Sequence, residues 1–217
     1  TITEPPVLTA ITSRTNVTCN GLNNGTITVN TSGGTPPYTF LGNPLPAGPI
    51  TIPSLAPNTY AGPITDANGC TFAVSETITQ PAVLGVTEIH TNVSCNAGTN
   101  GSITTTVTGG TTPYSFNWGG GIATQNRTNI PAASYTLTVT DANFCTAITS
   151  ATVTQLGLLT LNPQILSNYN GAAITCPSSN DGSVGVVATG GTGSYSYIWS
   201  PLGQNTATIN NLTAGTY

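Results

Sequence analysis

Hydroxyl side chains apart, five cysteines, six carboxylates, two arginines and one histidine are what this 217-residue chain offers for covalent, acid–base or metal chemistry. The cysteines carry the clearest pattern. Cys19 and Cys70 lie 51 residues apart, and Cys95 and Cys145 lie 50 apart. This matched spacing predicts two bridges, Cys19–Cys70 and Cys95–Cys145, and leaves Cys176 without a partner. Closing a loop of about 50 residues stabilises a fold by roughly 4 kcal/mol in the chain-entropy model. Zinc fits poorly, because His90 is the single histidine and no Cys-x-x-Cys occurs. Disulfides of this kind belong to an oxidising compartment.

The carboxylates do not converge. Asp66 and Asp141 stand in two copies of one turn, Thr65-Asp-Ala-Asn-Gly-Cys70 and Thr140-Asp-Ala-Asn-Phe-Cys145. There an Asx-type hydrogen bond to the following backbone accounts for them. Calcium is the one cofactor that the oxygen-bearing residues could take, at Asp66, Asn68, Asp141 and Asn143. Each copy offers a single carboxylate, whereas strong calcium sites use several. His90 has Glu88 two residues away, but its counterpart in the first copy is Arg14, so the pair forms no repeated site. Catalysis needs convergent titratable groups. The expectation is a protein that is not an enzyme, with no catalytic residues and no required cofactor.

These residues are positioned by a repeated unit. Cys19-Asn-Gly-Leu-Asn-Asn-Gly25 recurs as Cys95-Asn-Ala-Gly-Thr-Asn-Gly101 and as Cys176-Pro-Ser-Ser-Asn-Asp-Gly182. Gly33-Gly34-Thr-Pro-Pro-Tyr38 recurs as Gly109-Gly110-Thr-Thr-Pro-Tyr114 and as Gly190-Gly191-Thr-Gly-Ser-Tyr195. Cysteine and tyrosine are 19 residues apart in every copy. Such self-similarity marks an array of units. The expected division is residues 1–8 as the last strand of a preceding repeat, 9–81 as repeat 1, 82–157 as repeat 2, and 158–217 as a truncated repeat 3. Repeat 3 lacks its final two strands, and the partner of Cys176 is expected near position 227, outside the sequence.

Charged residues make up 4% of the chain, against about 25% in ordinary soluble proteins. With two arginines and no lysine there is no basic patch to neutralise phosphates, so nucleic acid is excluded as a partner. Attraction to anionic lipid is disfavoured for the same reason. No apolar run is long enough for a membrane-spanning helix, so membrane insertion is not expected.

Short β-branched runs separated by Gly, Pro and Asn read as strands, and helical periodicity is absent. About seven strands in about 75 residues predict an all-β chain of tandem immunoglobulin-like (PKD-like) β-sandwich repeats, end to end. Tyr38 and Phe40, Tyr114, Phe116 and Trp118, and Tyr195, Tyr197 and Trp199 alternate with small residues, so each set shares one face, read as core. Tyr60, Tyr135 and Tyr217 each begin a strand after a turn and resemble tyrosine corners. Pro63 predicts that its strand is an edge or carries a bulge.

The ordered set Cys-Asn-Gly…Asn-Gly-x-Ile, Gly-Gly-Thr-Pro-Pro-Tyr, Leu-x-Ala-x-x-Tyr and Thr-Asp-Ala-Asn-Gly-Cys resembles the SprB-type repeat of very large gliding-motility and cell-surface adhesins of Bacteroidota. The resemblance implies a secreted, extracellular, surface-displayed protein exported by type IX secretion and carried by the gliding machinery. Its implied partners are neighbouring repeats of the same chain and that machinery, with extracellular polysaccharide or solid surfaces as adhesive targets. The expected role is a spacer or shaft in adhesion and gliding. The alternative is that the repeats themselves bind glycan or a solid surface, including an ice-binding type suggested by Thr-x-Thr runs such as Thr136-Leu-Thr-Val-Thr140.

Overall fold

The computed structural model describes residues 2–46 and 48–217. It is all-β, and no helix occurs among the described residues. Repeat 1 contains β1 (Thr9–Thr15), β2 (Gly25–Ser32), β3 (Tyr38–Phe40), β4 (Asn43–Leu45), β5 (Gly48–Leu55), β6 (Asn58–Thr65) and β7 (Thr71–Ile78). They form two antiparallel sheets, ordered β1-β2-β5 and β4-β3-β6-β7. Strand β2 shows why these residues make a sheet. Gly25, Ile27, Val29 and Thr31 point inward, while the alternate residues face outward or sit half-buried, the period of two that a pleated strand imposes. Ile27 and Val29 meet Phe40, Leu45, Ile64 and Ile78 in one core, which Val17 and Leu8 close at its two ends. Burying each such side chain is worth about 1.5–3 kcal/mol.

Residues 2–8 carry no strand of their own. They run along the leading pole of repeat 1, where Gly34 N–H donates to Pro6 O at 2.7 Å. Pro63 lies in β6, which pairs with β7 along its whole length but with β3 only at Ile64 and Thr65. The strand is therefore interior at Ile64 and Thr65 and an edge from Asn58 to Pro63, which accommodates a residue with no N–H.

Repeat 2 contains β8 (Gly85–Thr91), β9 (Gly101–Thr108), β10 (Ser115–Asn117), β11 (Arg127–Ile130), β12 (Ala133–Thr140) and β13 (Thr146–Val153). Their sheets are ordered β11-β9-β8 and β10-β12-β13. Where repeat 1 has β4, repeat 2 has a glycine turn, in which Trp118 N–H donates to Ile122 O and Ile122 N–H to Gly119 O. Repeat 3 contributes β14 (Thr160–Ile165), β15 (Gly182–Thr189) and β16 (Thr208–Leu212), which form one sheet in that order. The chain is thus a tandem series of β-sandwich repeats.

By compactness the chain falls into two units. The first takes residues up to Glu88 together with 105–125 and 136–150; the second takes 89–104, 126–135 and 151–217. The division passes through β8, β9, β12 and β13, not between repeats.

Candidate functional site

The polar residues singled out by the repeat cluster at two places in repeats 1 and 2. One is the cysteine loop between the first two strands of a repeat. The other is the Asp-Ala-Asn turn between its last two strands.

In the cysteine loop of repeat 1, Asn24 Oδ1 accepts from Thr18 N–H at 3.1 Å and its amide donates to Thr18 Oγ1 at 2.8 Å. Asn20 Nδ2 donates to Pro81 O, and Gly21 N–H donates to Gln80 Oε1. Repeat 2 reproduces each bond: Ser94 with Asn100, Asn96 with Leu156 O, and Ala97 N–H with Gln155 Oε1. The loop is thus tied to the end of its own repeat and lies at the trailing pole. In repeat 3, Asp181 stands in the place of Asn24. It accepts from Thr175 N–H at 3.2 Å and from Thr175 Oγ1 at 2.5 Å. The Thr175 hydroxyl leads in holding that carboxyl below its ordinary value.

The Asp-Ala-Asn turn lies at the leading pole. Asp66 is 5% exposed and Asp141 is 4% exposed, which is unusual for carboxylates without a cation beside them. Backbone donors explain it. Asp66 accepts from Thr35 N–H at 2.9 Å, Asn68 N–H at 2.9 Å and Cys70 N–H at 2.8 Å. Asp141 accepts from Thr111, Asn143 and Cys145 N–H at 2.8, 2.9 and 2.9 Å. The Thr35 N–H leads in holding the Asp66 carboxyl below its ordinary value, with Cys70 and Asn68 adding to it against desolvation. At Asp141 burial is the largest influence and pushes the carboxyl up. The three N–H donors together outweigh it, so the net direction is down. Asn68 and Asn143 donate to Thr35 Oγ1 and Thr111 Oγ1. The four residues read as calcium candidates are therefore the clamp that joins this turn to the Gly-Gly-Thr turn. Among the described residues, no three His, Cys, Asp or Glu side chains gather in a way that could hold a metal ion.

The disulfide pairing differs from the expected one. Cys19 is bonded to Cys145, with Cα atoms 5.8 Å apart, and Cys70, Cys95 and Cys176 are free and exposed. Neither Cys19–Cys70 nor Cys95–Cys145 forms. The two cysteines of one repeat sit at opposite poles, separated by the eight-residue strand β2 or β9, and such a strand spans about 25 Å. The trailing pole of repeat 1 instead meets the leading pole of repeat 2. There Asn143 Nδ2 also donates to Thr18 O at 3.0 Å, beside the bridge. The near-equal spacings of 51 and 50 residues are compatible with pairing inside a repeat and with pairing from one repeat to the next. Only the strand direction between the cysteines separates the two.

Tyr38 and Phe40 are buried, whereas Tyr114, Phe116, Trp118, Tyr195, Tyr197 and Trp199 are half-buried and alternate with exposed neighbours. Their polar edges are used. Tyr38, Tyr114 and Tyr195 hydroxyls donate across the Gly-Gly turn to Gly33, Gly109 and Gly190 O at 2.7, 2.6 and 2.7 Å. Trp118 and Trp199 Nε1–H donate to Thr124 O and Thr206 O, each at 2.8 Å. In repeat 3 the aromatic face, with Leu161 and Val186, lines an open cleft of about 540 Å³. The Tyr60, Tyr135 and Tyr217 hydroxyls each donate four residues back, to Ala56, Pro131 and Thr213 O. Arg127 stacks over the Tyr135 ring at 4.7 Å. His90 lies exposed in β8.

One contact was not legible from the repeat. Arg14 Nη1 and Thr12 Oγ1 both donate to Glu76, at 2.7 and 2.6 Å, and join the edge strands β1 and β7. The Thr12 hydroxyl, then Arg14, hold Glu76 below its ordinary value. Glu76 has no charged counterpart in repeat 2, so repetition could not reveal it.

The family model for the SprB repeat matches the chain three times, at residues 11–44, 87–122 and 174–204. This is a SprB-type repeat region. Each match covers a cysteine loop and the Gly-Gly turn that follows it, so the SprB matches centre on the elements described above. No curated protein matches the chain.

Proposed function

We propose that this SprB-type region is a structural segment of a large cell-surface adhesin, serving as a spacer in adhesion and gliding and not as a catalyst. The observation that carries this reading is how the repeated polar residues are used. Asp66 and Asp141, Asn24 and Asn100, Gln80 and Gln155, and the corner tyrosines all spend their hydrogen bonds within or between repeats. A residue kept for a ligand would leave polar atoms facing solvent at the same place in each copy. Partners under this reading are neighbouring repeats and an export and gliding apparatus, with an extracellular location. No helix among the described residues is long and apolar enough to cross a membrane.

The 217-residue chain, immobilised on glycan arrays and tested on polysaccharide films, separates a spacer from a binder. The proposal expects no retention above a scrambled control. Saturable retention of one polysaccharide would replace the spacer with a repeat that adheres directly.

A further inference from the structure

The first repeat junction is filled and the second is not. At the first, Asn143 and Cys145 of the Asp-Ala-Asn turn lie against Thr18 and Cys19, and Asp141 lies beneath Gly110, where an added Cβ would meet its Oδ2 at 2.9 Å. The equivalent place after repeat 2 is a cavity of about 390 Å³, with walls that include Ser94, Cys95, Asn96, Leu159, Thr192 and Tyr195. These six are the repeat counterparts of Thr18, Cys19, Asn20, Leu84, Thr111 and Tyr114. Below Gly191, the counterpart of Gly110, a Cβ would meet only the Leu159 side chain at 3.8 and 3.9 Å, so the place held by Asp141 at the first junction is open. The walls are already set: Gly191 N–H donates to Gly157 O at 2.9 Å, as Gly110 N–H does to Ala82 O. No Asp-Ala-Asn-x-Cys sequence follows Cys145 in the chain.

We infer that the cavity beside Cys95 is a socket for an Asp-Ala-Asn-x-Cys turn, which enters by its asparagine side chain and closes on Cys95 as a disulfide. The asparagine amide would reach Ser94 O and Thr192 Oγ1, as Asn143 reaches Thr18 O and Thr111 Oγ1. In bond formation two thiols become one S–S bond and release two protons. The two electrons pass to a disulfide oxidant, which leaves as two thiols. By the same rule the exposed turn carrying Asn68 and Cys70 is a plug that fits a cysteine loop of this kind. Each junction of the array is then stapled from one repeat to the next, and no repeat is closed on itself. The inference does not rest on the adhesin reading, because it concerns connectivity alone.

The test uses the 217-residue chain and a synthetic peptide copying residues 140–146, Thr-Asp-Ala-Asn-Phe-Cys-Thr, in a buffer of reduced and oxidised glutathione. Mixed disulfides are then located by non-reducing mass spectrometry. The expected result is peptide on Cys95 in preference to Cys70 and Cys176 by about tenfold, the worth of one or two well-made hydrogen bonds. The preference should be lost with a peptide carrying Ala for Asn. Equal labelling of the three thiols overturns the proposal, as does labelling of Cys95 that is indifferent to the Asn→Ala change. A Cys95–Cys145 bridge in the same map also overturns it, because it would close repeat 2 on itself.

Discussion

At the scale of single residues, the chain builds with polar atoms where most proteins use charge pairs. Thr31 shows the cost of one that goes unmatched. Its hydroxyl is buried in the core of repeat 1 without a hydrogen-bond partner, and repeat 2 has Val107 at that position. Thr31→Val keeps the branched shape and removes the orphan, so it should stabilise the chain by about 1 kcal/mol. Chemical denaturation followed by tryptophan-independent circular dichroism reads this, and a destabilised variant would refute it. Thr105 is the contrasting case: it is buried too, but donates to Gln125 O while Gln125 Nε2 donates to Thr105 O. The aspartates set the acid limit. Asp66 and Asp141 have native values below the ordinary 3.8, so below that value the unfolded state binds more protons than the native one. Their contribution to stability is full above about pH 5 and is lost as pH falls through the native values. Melting temperatures should therefore be level from pH 7 to about pH 5 and fall below pH 4. A level profile down to pH 2 would show that the clamp contributes nothing.

At the scale of elements, the Gly-Gly turn fixes how each repeat meets the chain that leads into it. Gly109 has φ 66°, and an added Cβ would stand 1.9 Å from Val83 O. Gly109→Ala should cost more than the roughly 1–2 kcal/mol of a left-handed alanine alone, because the leading segment must also move. A melting temperature unchanged by this substitution would refute the close approach. The outer faces of the sheets carry cross-strand hydroxyl pairs: Thr28 with Thr51 at 2.8 Å, Thr59 with Thr77 at 3.0 Å, and Thr160 with Thr189 at 2.8 Å. Such pairs support the sheet and account for threonine-rich strands in a protein with 4% charged residues. Much of this level was readable from sequence. Alternation in Gly25–Ser32 and the punctuation by Gly, Pro and Asn identify the strands because burial on one face imposes a period of two. The half-burial of Phe116 and Trp118 was not readable, because alternation assigns a face and says nothing of what covers it. Pro63 was legible only in part. Its missing N–H rules out pairing on one side, while the place where β3 stops is set by the Leu41-Gly42 turn.

At the scale of the whole molecule, the repeat period was legible and the cysteine connectivity was not. Spacing repeats identically whether a bridge closes one sandwich or links two. The deciding fact is that β2 and β9 carry their cysteine loops away from the turns that hold Cys70 and Cys145. The account therefore rests on one claim, that the reactive residues of this chain serve to join repeats. Peptide mapping without reduction tests it most directly, with digestion by pepsin at acidic pH so that thiolates cannot exchange. The account predicts one bridged peptide pair, containing Cys19 and Cys145, and alkylatable thiols at Cys70, Cys95 and Cys176. Two bridges, Cys19–Cys70 and Cys95–Cys145, would contradict it and return each repeat to a separately closed domain.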